Sequence, residues 1–167
     1  MKKIIAIVFC LSVLLSQSAL SYDGMPRYAK GDVDLAGTAG LTVANKSPKL
    51  NMNVGIDGKY FVWDRIGLGL RFDTHTDFDY GVFSFVPKVG YYYDIAADWT
   101  IYGTAGVGFA INTSSKAAVD IAIPGVGFTY HINDNMAVGA DTNMHVLVFS
   151  GTTVFGWSFG PMFHYKF

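Results

Sequence analysis

The residues of this 167-residue chain with the greatest chemical capacity are charged side chains set singly inside apolar or glycine-rich runs. Asp34, Asp57, Lys59, Arg71, Lys88, Asp120, Asp141 and His145 each fall on the small, polar side of an alternating segment. If neighbouring segments lie side by side, Asp34, Asp57 and Asp141 come near Lys59, Arg71 and Lys88. Such a network has two uses, an ion-pair gate in a narrow pore or a plug that satisfies buried charge. Removing one partner of a buried pair costs ~3–5 kcal/mol, so the plug is the expected use. A second set, Asp73, His75, Asp77 and Asp79, places an acid or imidazole at every second position of an extended run. Those groups offer ligands to a divalent cation bridging lipopolysaccharide phosphates. The run lacks the spacing of a calcium loop, and a solvated loop tip is expected. Acyl hydrolysis needs a nucleophile held by a base. His145, His164 and Ser158 share the polar side, no His-x-Ser pair occurs, and Ser150 approaches His145 only across a turn. The Gly67–Gly69 and Gly103–Gly108 stretches follow no strand-to-helix pattern and read as strand glycines. No catalytic residue, cofactor or metal site is assigned.

The elements that must position these groups alternate with period two, the signature of strands with two different faces. The spans are 30–44, 50–62, 66–73, 80–93, 100–111, 117–130, 136–148 and 154–167. Val33, Leu35, Leu41 and Val43 lie opposite Asp34, Thr38 and Thr42 in the first; Phe83, Phe85, Val89 and Tyr91 lie opposite Ser84, Lys88 and Tyr92 in the fourth. In the sixth span the phase slips at Pro124-Gly125, which predicts a β-bulge. Pro87 falls on an apolar face and predicts another. Polar connections at Asn45–Lys49, Thr74–Asp79, Asn112–Lys116 and Phe149–Thr153 alternate with turns at Trp63–Arg65, Asp94–Trp99 and His131–Asn135 that Trp or Tyr borders. The first group is expected outside the cell, the second on the periplasmic side, with the aromatics as an interfacial girdle.

Which face meets lipid follows from charge and size. The N-terminal MKKIIAIVFCLSVLLSQSALS has a basic start, an apolar core too short for a spanning helix, and small residues at Ala19 and Ser21. Residues 1–21 therefore predict an export signal and residues 22–167 the exported domain. The single cysteine, Cys10, lies in that leader, so no disulfide is available. Without Lys2 and Lys3 the charge is slightly acidic, which argues against a nucleic-acid partner. The chain is 51% hydrophobic, yet the exported part has no run long enough for a transmembrane helix. Strands closed into a barrel cross a bilayer because closure satisfies every backbone N–H and C=O. The bulky faces carry almost no charge, and a Lys or Arg facing lipid at midplane costs ~2–4 kcal/mol. A lipocalin-like soluble barrel would reverse the facing, and Phe, Tyr and Trp would then overfill an eight-stranded interior. The expected fold is all-β, an eight-stranded antiparallel up-and-down transmembrane β-barrel.

The last stretch, VFGWSFGPMFHYKF, alternates Phe155, Trp157, Phe159, Pro161, Phe163, Tyr165 and Phe167 with smaller or polar residues. With the leader and the eight segments, it resembles the small OmpA-like and OmpX-like bacterial outer-membrane barrels. The resemblance implies an integral outer-membrane location, contact with outer-membrane lipids and lipopolysaccharide, and dependence on periplasmic chaperones. It also implies that Phe163, Tyr165 and Phe167 form the signal read by the barrel-assembly machinery. A monomer without enzymatic activity and without a cofactor is expected. The short outer connections depart from relatives whose long loops serve adhesion, and no peptidoglycan-binding domain is expected. The role implied is structural, in envelope maintenance, around a plugged polar interior. A minor small-solute or ion pore is the alternative, and a lipid A-modifying enzyme or surface adhesin ranks below it.

Overall fold

Alternation of apolar and polar side chains decides the architecture, because each strand can bury one face only if the sheet closes on itself. In the computed structural model, which describes residues 26–46, 50–77, 81–114 and 116–167, eight strands form a closed barrel. They are β1 (Val33–Ala44), β2 (Leu50–Trp63), β3 (Ile66–Thr76), β4 (Gly81–Ala96), β5 (Trp99–Asn112), β6 (Ala117–His131), β7 (Met136–Phe149) and β8 (Thr152–Lys166). Each pairs antiparallel with the next, and β8 returns to β1 through pairs running from Asp34–Lys166 to Ala44–Gly156. No helix among the described residues is long and apolar enough to cross a membrane; the spanning elements are strands. The expected export signal, residues 1–21, lies outside the described residues.

The facing follows the alternation. Phe72 is 54% exposed on the outer face, whereas Phe61 is 0% exposed inside. Leu35, Ile56, Leu70, Phe83, Val107, Phe109 and Trp157 are likewise exposed, forming the apolar belt. The expected bulge at Pro124-Gly125 is present, with the β6–β7 register shifting between Ala122 and Gly125 beside a cis Ile123–Pro124 bond.

Four expectations are corrected. Thr74, His75 and Thr76 are not loop. They extend β3 and pair with Val54, Asn53 and Met52, because the alternation that buries Arg71 and Asp73 continues through His75. The Asp94–Trp99 turn is shorter than expected. β4 runs to Ala96 and β5 begins at Trp99, since Asp94 is buried and accepts a 2.6 Å bond from the Thr100 hydroxyl. No register shift occurs at Pro87, which pairs with Leu70, while the ladder to β5 skips Val86 and Pro87. The segment before β1 is more than a linker, because Tyr28 is buried within the barrel end.

Candidate functional site

The lumen gathers the buried charged residues of the strands, and register dictates who meets whom. Asp34 on β1 lies directly opposite Lys59 on β2, and Lys59 Nζ donates to Asp34 Oδ2 at 2.8 Å and lies 3.5 Å from Asp57 Oδ2. Lys88 on β4 reaches the same Asp57 carboxylate. It passes β3 at Gly69, which pairs with both Lys59 and Lys88. A β-carbon on Gly69 would sit 2.6 Å from Gly58 O and 2.9 Å from the Lys59 stem, so this glycine leaves the Lys59 side chain its room. Arg71 lies opposite Asp57 in register, yet its guanidinium turns away. Nε donates to Asp73 Oδ2 and Nη1 to Asp141 Oδ2, both at 2.7 Å, and Asn143 Nδ2 completes Asp141 at 2.6 Å. All these charged groups except half-buried Lys88 are buried.

Farther along β3, β6 and β7, His145 Nδ1 lies 3.2 Å from Asp120 Oδ1. His75 Nδ1 lies 3.0 Å from Thr42 Oγ1, whose hydroxyl donates to Ser158 Oγ at 3.0 Å. The two imidazoles meet edge to face with centroids 5.2 Å apart. At the other end His164 Nδ1 lies 3.0 Å from Asp34 Oδ2.

The end where β1 begins and β8 ends is filled by rings. Tyr28 stacks on Phe61 at 4.8 Å, Phe61 meets Tyr92 edge-on at 5.0 Å, and Tyr92 stacks on Tyr102 at 5.1 Å. Tyr102 Oη donates to Met162 Sδ at 3.1 Å. The bulky-face aromatics stay outside, as the sequence predicts, and among the described residues only these few rings enter the interior. Inward glycines make the space: Gly67 lies against the Phe61 ring, Gly90 against Tyr92 and Gly127 against Tyr102. Arg27 fastens this strap from outside the strands, donating to Ala97 O and pairing with Asp98 at 2.8 Å and Asp134 at 2.9 Å. Burial pushes the Tyr28 hydroxyl well above the ordinary tyrosine range, and the nearby Asp34 carboxylate adds to it.

The sequence-assigned lumen residues Asp34, Asp57, Lys59, Arg71, Lys88 and Asp141 thus come together, while His145 belongs with Asp120 in a separate group. Asp73, His75, His164, Tyr28 and Phe61 were missing from that network. Parity along β3 and β2 points to Asp73, His75 and Phe61; nothing in the sequence marks Tyr28, whose burial depends on a contact made across the barrel. Ser150 is exposed, whereas His145 is buried against Asp120, so they form no catalytic pair. Phe163, Tyr165 and Phe167 lie on the exposed face, with Tyr165 and Phe167 edge to face at 4.8 Å.

The family model for the outer membrane protein β-barrel domain matches residues 7–167. No curated protein matches the chain in sequence. Among solved structures, Neisserial surface protein A (NspA) is similar with a TM-score of 0.70 and 12% identity, covering 83% of this chain and 100% of that one. OprG from Pseudomonas aeruginosa gives 0.61 and 13%, covering 85% and 99%. The outer membrane enzyme PagL gives 0.52 and 14%, covering 79% and 98%. At these identities the likeness is one of fold, and that fold carries an enzyme as well as barrels not described as enzymes.

Proposed function

Because this chain belongs to the outer membrane protein β-barrel domain family, and is an integral protein of the bacterial outer membrane, we propose that it serves there as a non-conducting structural barrel maintaining the envelope. The observation that carries this reading is the double closure of the lumen. The ring layer of Tyr28, Phe61, Tyr92 and Tyr102 fills the end where β1 begins, and behind it lies the ion-paired layer of Asp34, Lys59, Asp57 and Lys88. Ions crossing this interior would have to displace packed aromatics and separate buried pairs. The ring-filled end faces the periplasm in this reading, and the exposed aromatic belt contacts lipid and lipopolysaccharide acyl chains. The chain acts as a monomer, without catalysis, and its assembly signal is Phe163, Tyr165 and Phe167.

The test joins electrophysiology to physiology. In planar bilayers the native protein and Lys59→Ala should both lack unitary conductance, and a strain lacking the protein should become more permeable to detergent. Discrete conductance in the native protein that changes in Lys59→Ala would replace this reading with the gated pore. Altered lipid A on overexpression would replace it with an enzyme.

A further inference from the structure

The end of the lumen remote from the ring layer contains a cluster outside the two layers that carry the proposed function. Asp73, His75 and His145 are all buried, and each offers a ligand atom within 4.8 Å of the other two. Two side-chain atoms of these residues are unsatisfied. His145 Nε2 and Asp73 Oδ1 are buried without a hydrogen-bond partner, although a buried polar atom left unpaired is costly.

The outer hydrogen bonds have the form that metal ligands require. His145 directs Nδ1 at Asp120, and an Nδ1–H donated to that carboxylate leaves the lone pair on the unpartnered Nε2. A carboxylate behind a ligating imidazole fixes its tautomer and strengthens it as a donor. His75 is held in the same manner by Thr42, which in turn donates to Ser158.

Charge balance points to the same place. Asp34 and Asp57 are matched by Lys59 and Lys88. Asp73 and Asp141, however, share the single cation Arg71, and Asp120 has only His145 as an ion-pair partner among the described residues. With neutral imidazoles, this half of the interior holds two negative charges beyond its cations, and a divalent ion would neutralise them. A cavity of about 90 Å³ borders both histidines and extends to Asn51 and the exposed Lys46, which gives an entry path.

We propose that Asp73, His75 and His145 bind a divalent transition-metal ion of the zinc class, with Asp120 and Thr42 as positioning residues. Two imidazoles and one carboxylate suit zinc, nickel or copper, whereas calcium and magnesium prefer an all-oxygen shell. Bonds of ~2.0–2.2 Å in a tetrahedral site put ligand atoms about 3.4 Å apart, so the three groups draw inward on binding. The fourth position opens on the cavity.

The test uses the full chain folded in detergent, with Zn²⁺ as the calorimetric probe and Co²⁺ as the optical one. The native protein should take up one Zn²⁺, give the visible absorption of four-coordinate Co²⁺, and ignore excess Ca²⁺ and Mg²⁺. His75→Ala and His145→Ala, checked for folding by gel mobility, should lose more than ~100-fold in Zn²⁺ affinity, and Asp120→Asn ~10–100-fold. His131→Ala, at the other end of the lumen, should bind like the native protein. If the ligand variants do not fold, nitrogen shifts of the native histidines on Zn²⁺ titration decide the matter: movement of the His75 and His145 ring nitrogens supports the site. Absence of Zn²⁺ binding, or binding that survives both histidine substitutions or moves only other histidines, overturns it.

Discussion

At the scale of single residues, what distinguishes this interior is that Lys59 and Arg71 each hold two acids. Arg71 is the sharpest case, since its Nε and Nη1 bond two different aspartates at 2.7 Å each. Arg71→Ala leaves both carboxylates buried without that cation and should lower unfolding free energy by ~3–5 kcal/mol, read from urea titration of the protein folded in lipid vesicles. Arg71→Lys keeps the charge but not the fork that reaches two partners, so it should fall between the two. Tyr28 carries a pH prediction. Its hydroxyl ionises less readily in the folded state than in the unfolded chain, so its contribution is complete below the ordinary tyrosine value of ~10. Above that value the unfolded chain releases the proton and the folded one retains it, so stability falls as pH rises. Tyr28→Phe should lessen that alkaline decline in unfolding curves while leaving stability near neutrality almost unchanged.

At the scale of elements, closure depends on how tightly β1 meets β8. Gly40 and Gly160 both point inward at this seam. A β-carbon on Gly40 would press on the Phe159 carbonyl oxygen, and one on Gly160 on the Ala39 carbonyl oxygen. Backbone cannot yield as a flexible side chain does, so Gly160→Ala should reduce the fraction that reaches the compact, faster-migrating form on unboiled gels. Gly37→Ala on the same strand pair has open space around its added methyl and should migrate like the native protein. The same logic accounts for the lysine-bearing layer, where Gly69 leaves room for the Lys59 stem.

At the scale of the whole molecule, the barrel must be both stable and delivered. Under the proposed assembly signal, these two requirements should separate at Phe167. Phe167 is exposed and its main-chain N–H bonds Val33 O at 2.8 Å, while its ring touches Tyr165 alone among the aromatic pairs of the described residues. Removing Phe167 should therefore leave spontaneous folding into detergent nearly intact while sharply lowering the amount of heat-modifiable protein in outer-membrane fractions. Equal loss in both assays would make Phe167 a stability residue and remove the assembly signal.

Period-two alternation by itself determined the strands, their facing, the bulge at Pro124-Gly125 and the membrane setting, because each of those is fixed by the order of side chains along one strand. It also placed Asp34, Asp57, Lys59, Arg71, Lys88 and Asp141 on the inner face. Tertiary structure alone decided the partners. Arg71 bypasses its register neighbour Asp57 for Asp141 across the lumen, and His75 meets His145 from a strand on the far side of the barrel. Tyr28, outside every periodic segment, fills a space that exists only once eight strands have closed. Such contacts depend on curvature and stagger, which local alternation does not encode, and on the inward glycines whose vacant volume acquires meaning only when another strand's side chain occupies it.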